Sequence, residues 1–196
     1  MARVTGRGTA GPVPSTAASL WAPWRAAYIH GGRRHSGCIF CLGNLRESAR
    51  KSRLVLHLEP QALVMLNRYP YNNGHLLIAP RRHLASPELL EPAERAALDA
   101  LMVESVKILR TVLRPMGFNL GANLGRVAGA GIADHMHWHV VPRWEGDTNF
   151  MPVLAATRVL SEHLAASFAT LEPLFRQLKP AEVSKKQARS RSLNEL

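Results

Sequence analysis

Apolar positions along the chain follow two periods. Leu98, Leu101, Met102, Val106, Leu109 and Val112 recur at helical spacing, and Pro115 and Gly117 stop the run. One apolar stripe of that kind predicts a helix over 87–114. Ahead of it, "LVLHLEP" (54–60) and "ALVMLN" (62–67) are short runs rich in strand formers. "RYPYNNG" (68–74) then supplies turn residues before the apolar "HLLIAP" (75–80). These segments predict an antiparallel pair or meander. Beyond the helix, "FNLGANLG" (118–125) alternates as a strand does. The Gly-rich "AGAGI" (128–132) leads into "ADHMHWHVVPRW" (133–144), a predicted strand that Pro142 ends. A second helix is predicted from Arg158 to Leu178, with Pro173 as a kink or break. Strands, helix, strands, helix, with no regular βαβ alternation, predict an α+β fold. Its antiparallel sheet has a long helix between its two halves and a C-terminal helix.

Composition narrows the class. The 196 residues suit one domain with appendages, and 46% hydrophobic with 20% charged residues is ordinary for a globular chain. Residues 1–19 are rich in Gly, Ala, Ser and Pro and read as a disordered tail, while "SLWAPWRAAYI" (19–29) reads as an arm packed on the body. The domain is assigned to 20–178 and a basic tail to 179–196. No run of about 18 apolar residues is present to span a membrane, and the N-terminus lacks the apolar core of a secretory signal. Two cysteines cannot build a disulfide framework, so a reducing, cytoplasmic setting is expected.

The net charge of +11 is concentrated at the ends, with Lys179, Lys185, Lys186, Arg189 and Arg191 in the C-terminal stretch. Such runs are ordinarily solvated tails, and a polyanion partner, nucleotide or nucleic acid, is the functional alternative. A nucleic-acid-binding module is therefore one rival reading, testable by salt-sensitive oligonucleotide binding.

The chemistry sits at two places. His135, His137 and His139 occupy alternate positions, and in a strand such residues share one face about 7 Å apart. Met136, Trp138 and Val140 would pack behind them. A row of this kind suits either a catalytic zinc or a neutral imidazole attacking phosphorus beside phosphate-binding neighbours. Cys38 and Cys41 form a C-x-x-C that reads as a redox pair or as half a metal site, with His75 and His83 as further ligand candidates. Gly129, Ala130 and Gly131 would let backbone N–H groups approach an anion.

These residues resemble a known family. "HMHWHVVPR" is similar to the histidine-triad signature, and "ALVMLNRYPYNNGHLLIAPRRH" to the first half of that family's domain. "GCIFC" resembles a zinc half-site found in many bacterial members and in galactose-1-phosphate uridylyltransferases. "YPYNNGHL", "GFNLGANLG" and "HVVPRWEGDTNF" resemble the branch of diadenosine tetraphosphate phosphorylases. The resemblance covers about 21–151 and implies nucleotidyl transfer. His137 would attack the α-phosphorus of an adenine nucleotide, and phosphate or water would resolve the nucleotidyl-histidine. His139 and His75 would contact phosphate oxygens and help protonate the leaving group. His135, Cys38, Cys41 and His83 would hold a structural zinc, Asn67 the ribose, and Asn123 a phosphate.

Gly131 stands where many members carry a glutamine. The backbone over Ala130, Gly131, Ile132 and Ala133 is therefore expected to take the anion, which suits inorganic phosphate as acceptor. Phosphorolysis of diadenosine tetraphosphate to ATP and ADP is the expected activity. A hydrolase releasing AMP from dinucleoside polyphosphates or from adenylated amines is the alternative within the family. A homodimer using helix 87–114 is also implied, with no membrane partner and no requirement for nucleic acid.

Overall fold

Unbroken apolar runs explain why the central strands form. In a computed structural model describing residues 37–147 and 162–180, β1 (Val55–Leu58), β2 (Ala62–Leu66) and β3 (Leu76–Pro80) make the expected antiparallel meander. Every residue of β2 and β3 is buried. Ala62, Val64, Leu66, Leu76 and Ile78 face one core, while Leu63, Met65, Leu77 and Ala79 face another. A strand buried on both faces reads as an unbroken apolar run, which is how these two segments appear in the sequence.

The sheet has five strands in the order β1-β2-β3-β5-β4, all antiparallel, with β4 at Gly117–Ala122 and β5 at Trp138–Arg143. One face is covered by α2 (Pro92–Leu113) and α3 (Leu164–Phe175), whose Leu98, Leu101, Leu109, Phe168, Leu171 and Phe175 fill the larger core. The four-residue α1 (Arg50–Arg53) leads into β1. On the opposite face no helix packs among the described residues. The cysteine segment takes that place, with Phe40 fully buried against Val55, Leu63, Met65, Leu77 and Ala79, and Ile132 at its margin.

Three boundaries differ from the sequence reading. The long helix does not start at Pro87. A 3-10 turn covers Pro87–Leu89, and the α-helix begins at Pro92. A residue before proline is driven to extended geometry, so Glu91 (φ −70°, ψ 155°) breaks the run and serves as N-cap. Glu94 accepts the Glu91 N–H at 2.9 Å and the fork of Arg82, Nε and Nη2 each at 2.7 Å. That fork holds its carboxyl below the ordinary range and ties the segment before His83 to the helix.

Pro142 does not end the histidine strand. It pairs with Phe118 inside β5, which instead excludes His135 and His137 from its N-terminal end. The C-terminal helix spans Leu164–Phe175 and continues two residues past Pro173, so the proline does not break it there. Residues 158–161 of its expected span, the arm at 19–29, the N-terminal tail and residues 181–196 of the basic tail lie outside the described residues.

The turn between β2 and β3 depends on Gly74. Its φ is +71°, and a Cβ there would sit 2.5 Å from Leu113 Cδ1 and 3.2 Å from Leu109 Cδ2 at the end of α2. Gly74→Ala should cost about 2–3 kcal/mol from overpacking and left-handed strain together. Urea unfolding reads this directly, and a midpoint equal to the wild type would show that the turn relaxes freely.

Candidate active site and metal centre

Strand register brings the histidines together. His139 lies opposite Leu77 in the β3–β5 ladder, so its side chain leaves on the face that carries the cysteine segment. His75 directly precedes β3 and is fully buried. Its Nε2 lies 2.9 Å from His139 Nδ1. His137 is 5% exposed, and its ring centroid is 4.9 Å from that of His139.

His137 has a defined orientation. Its Nδ1 is 3.0 Å from the carbonyl oxygen of His135, and only an N–H can bond there. The proton of the neutral ring therefore sits on Nδ1, leaving the lone pair on Nε2. Burial lowers the pKa of this histidine, with the carbonyl bond opposing, so the neutral form is favoured. Spacing along the sequence left open whether a carbonyl or another histidine orients this ring; the fold selects the carbonyl of His135.

His135 itself turns away from the row. Its Nε2–H donates to the Pro80 carbonyl at 2.9 Å, which leaves Nδ1 with a lone pair. That Nδ1 lies 3.2 Å from Cys38 Sγ, 3.6 Å from Cys41 Sγ and 3.2 Å from His83 Nδ1. Cys41 Sγ and His83 Nδ1 are 3.2 Å apart, and all four ligand atoms lie within 4.8 Å of one another. A tetrahedral zinc with ordinary Zn–N and Zn–S lengths has ligand edges of about 3.3–3.8 Å, so this donor set fits a closed metal site. The Pro80 carbonyl behind His135 is the outer support such a ligand needs. Burial, and then the neighbouring Cys38, push the Cys41 thiol up, a cost that a divalent cation reverses. Of the three alternating histidines only His135 joins this cluster, which disfavours a metal held by all three.

The remaining site residues fall close by. Asn67 follows β2, and its Oδ1 accepts the Tyr69 N–H at 2.9 Å while its Nδ2 lies 3.3 Å from His75 Nδ1. Asn123 stands one residue beyond the last β4–β5 ladder pair, Ala122 with Trp138, at the register position opposite His137. In the glycine loop the Ala130 N–H is committed to the Gly125 carbonyl at 3.2 Å, so this amide closes the turn instead of pointing outward. Gly131 and Ile132 make no backbone hydrogen bond among the described residues.

Two aromatic residues went unnoticed in the sequence. Phe40 packs on His135 and His137 with centroids 5.1 and 4.8 Å away, joining the cysteine segment to the reactive ring. Tyr71 stacks on His75 at 4.8 Å and on His139 at 5.9 Å, and its amide donates to His75 Nδ1 at 3.0 Å. The turn carrying it is pinned by Asp147, which accepts Asn72 Nδ2 at 2.8 Å and Arg143 Nε at 2.6 Å. No sequence period marks either aromatic, because their role depends on contacts across the fold.

The HIT domain family model matches residues 48–146. The chain belongs to the histidine triad (HIT) family. It is 44% identical over 100 residues to the AP-4-A phosphorylase of Mycobacterium tuberculosis, covering 51% of each chain. It is 33% identical over 114 residues to the adenylylsulfatase HINT3 of Arabidopsis thaliana, covering 56% of this chain and 54% of that one. The chain thus spans about half the length of these curated relatives. Among solved structures, a zinc-bound histidine triad family protein from Mycobacterium smegmatis superposes with a TM-score of 0.54 at 24% identity. That match covers 72% of this chain and 94% of the other, and shows the shared fold. These relatives are named as a phosphorylase and as an adenylylsulfatase.

Proposed function

We propose that this HIT enzyme phosphorolyses diadenosine tetraphosphate to ATP and ADP. The observation that carries the reading is the His137 ring, whose Nδ1–H is held by the His135 carbonyl so that Nε2 is an unprotonated nucleophile. In the first step Nε2 bonds to the α-phosphorus, the bond from phosphorus to the bridging oxygen breaks, and ATP leaves. In the second an oxygen of inorganic phosphate attacks the same phosphorus, Nε2 is released, and ADP forms.

His139 and His75 serve the leaving oxygen. Asn67 has a second amide proton and a second lone pair for a ribose hydroxyl. Asn123 and the amides of Gly131 and Ile132 take phosphate oxygens, with Ala130 shaping the turn that presents them. Cys38, Cys41, His83 and His135 hold a structural zinc, which fixes the chain on which His137 is mounted. The phosphorylase named among the relatives supports the choice of acceptor.

A second copy of the chain is the expected partner. The edge strand β4 carries the half-exposed Leu120 beside Met116, 72% exposed, and α2 exposes Val103. No helix among the described residues is long and apolar enough to cross a membrane, and a cytoplasmic setting suits unpaired thiols and a nucleotide substrate.

Product analysis tests the activity. ATP plus ADP appearing only when phosphate is added is the expected result. ATP plus AMP irrespective of phosphate would make the enzyme a hydrolase, and no turnover of the dinucleotide would overturn the reading.

A further inference from the structure

Two N–H groups converge on one nitrogen in the buried half of the site. His75 Nδ1 receives the Tyr71 amide at 3.0 Å and lies 3.3 Å from Asn67 Nδ2. The Asn67 amide cannot be turned over without loss, because its Oδ1 already accepts the Tyr69 N–H at 2.9 Å. A nitrogen that accepts from two donors has no room for a proton of its own. The proton of His75 is therefore on Nε2, where it is donated to His139 Nδ1 at 2.9 Å. His139 Nδ1 is an acceptor in turn, so the proton of His139 is on its own Nε2. Each ring holds one proton and each Nδ1 is filled.

An additional proton has no ready place in this pair. It would have to enter at His75 Nδ1, on a fully buried ring, by displacing both the Tyr71 amide and the Asn67 amide. The stacked Tyr71 ring, within 4.8 Å of His75 and 5.9 Å of His139, holds both rings in that arrangement. The pair can donate a hydrogen bond to a developing negative charge, but giving up a proton would leave an imidazolate.

We propose that the Asn67 amide and the Tyr71 N–H keep the His75–His139 pair neutral. The site is thereby restricted to phosphoanhydride substrates, whose leaving group departs as an anion, and adenylated amines are excluded. The proposal rests on the nucleotidyl-transfer reading above and specifies the substrate class of the same site. With a polyphosphate leaving group, the His137 Nε2–phosphorus bond forms as the phosphorus–oxygen bond breaks. The electron pair stays on the departing oxygen, and that oxygen accepts a hydrogen bond from His139 Nε2–H without proton transfer. With a phosphoramidate the departing nitrogen must be protonated before or during cleavage, and this pair has no proton to give. Asn67 and Tyr71 act through the histidines and are positioning residues.

The experiment compares kcat/KM for diadenosine tetraphosphate, with phosphate present, and for adenosine 5′-phosphoramidate. The wild type should prefer the dinucleotide by about a thousandfold, the range over which a proton donor matters to such a step. Asn67→Asp is nearly isosteric and puts an acceptor where one of the two donors stood, so a proton on His75 Nδ1 displaces only the Tyr71 amide and is met by the carboxylate. The ratio should shrink tenfold or more, mostly through faster phosphoramidate cleavage. A purely structural role would lower both substrates together and leave the ratio fixed, which overturns the proposal.

A second measurement stands without any variant. Nitrogen-15 spectra of the wild type should show His75 as the neutral Nε2–H tautomer from about pH 5 to 8, and a charged ring in that interval overturns the proposal. Wild type that turns over the phosphoramidate within tenfold of the dinucleotide overturns it as well. Wild type inert toward both substrates overturns the nucleotidyl-transfer reading itself.

Discussion

His137→Ala should lower turnover of diadenosine tetraphosphate by about four to six orders of magnitude, as loss of a covalent nucleophile does. Nucleotide affinity should change little, because the groups assigned to ribose and phosphate are untouched. The reason lies in the geometry. The ring is held at Nδ1 by a backbone carbonyl, is 5% exposed, and packs against Phe40 and beside His139, so Nε2 is presented in one orientation. Preorganisation of this kind contributes to rate by removing the search for a reactive pose. Rapid-quench kinetics with equilibrium binding separates the two effects. Within-tenfold turnover in the variant would rule out a covalent role for His137, and lost binding with normal fold would place this ring in ground-state recognition.

The second large effect is expected from loss of the metal. One zinc per chain should copurify, and the double variant Cys38→Ser, Cys41→Ser should contain none. His135 links the two centres: its Nδ1 faces the cysteines while its carbonyl orients His137. Phe40, between the cysteines in sequence, is fully buried against the reactive ring. Freeing the cysteine segment should therefore uncover the second face of the sheet and lower the melting temperature. The same change should cut turnover by about 10- to 100-fold, the usual cost of disturbing the groups around a metal ligand. Metal loss from the wild type should need a chelator together with partial unfolding, because a closed site is coupled to folding. Elemental analysis finding no zinc in folded, active protein would remove the metal from the account. Instant, complete loss of activity on adding chelator would place the metal in the chemistry instead.

Much of the fold is legible because local rules and tertiary packing agree. The strand meander, the long helix and the antiparallel α+β order follow from apolar period and turn residues, and the family resemblance rests on the spacing of His135, His137 and His139. Element ends are less legible where two rules compete. Pro87 looks like a helix start, yet Pro92 with Glu91 and Glu94 supplies the better-capped one. Pro142 looks like a strand end, yet it is tolerated inside β5, where its carbonyl still accepts from Asn72 Nδ2 at 3.2 Å.

The sequence by itself singled out the candidate residues: alternation selects the three histidines, and C-x-x-C proposes two metal ligands. Runs of strand formers around turn residues also marked the antiparallel meander, whose β2 and β3 the fold buries on both faces. Tertiary structure alone decided how those residues divide between tasks. Cys38 and His135 are 97 positions apart, and His75 and His139 are 64 apart, so only sheet register and the packing of the cysteine segment could bring them together. The location of each proton was decided in the same way. It depends on which carbonyl or amide meets which ring nitrogen, and those partners (the His135 carbonyl for His137, the Tyr71 amide and Asn67 for His75) are positioned by folding and not by spacing along the chain.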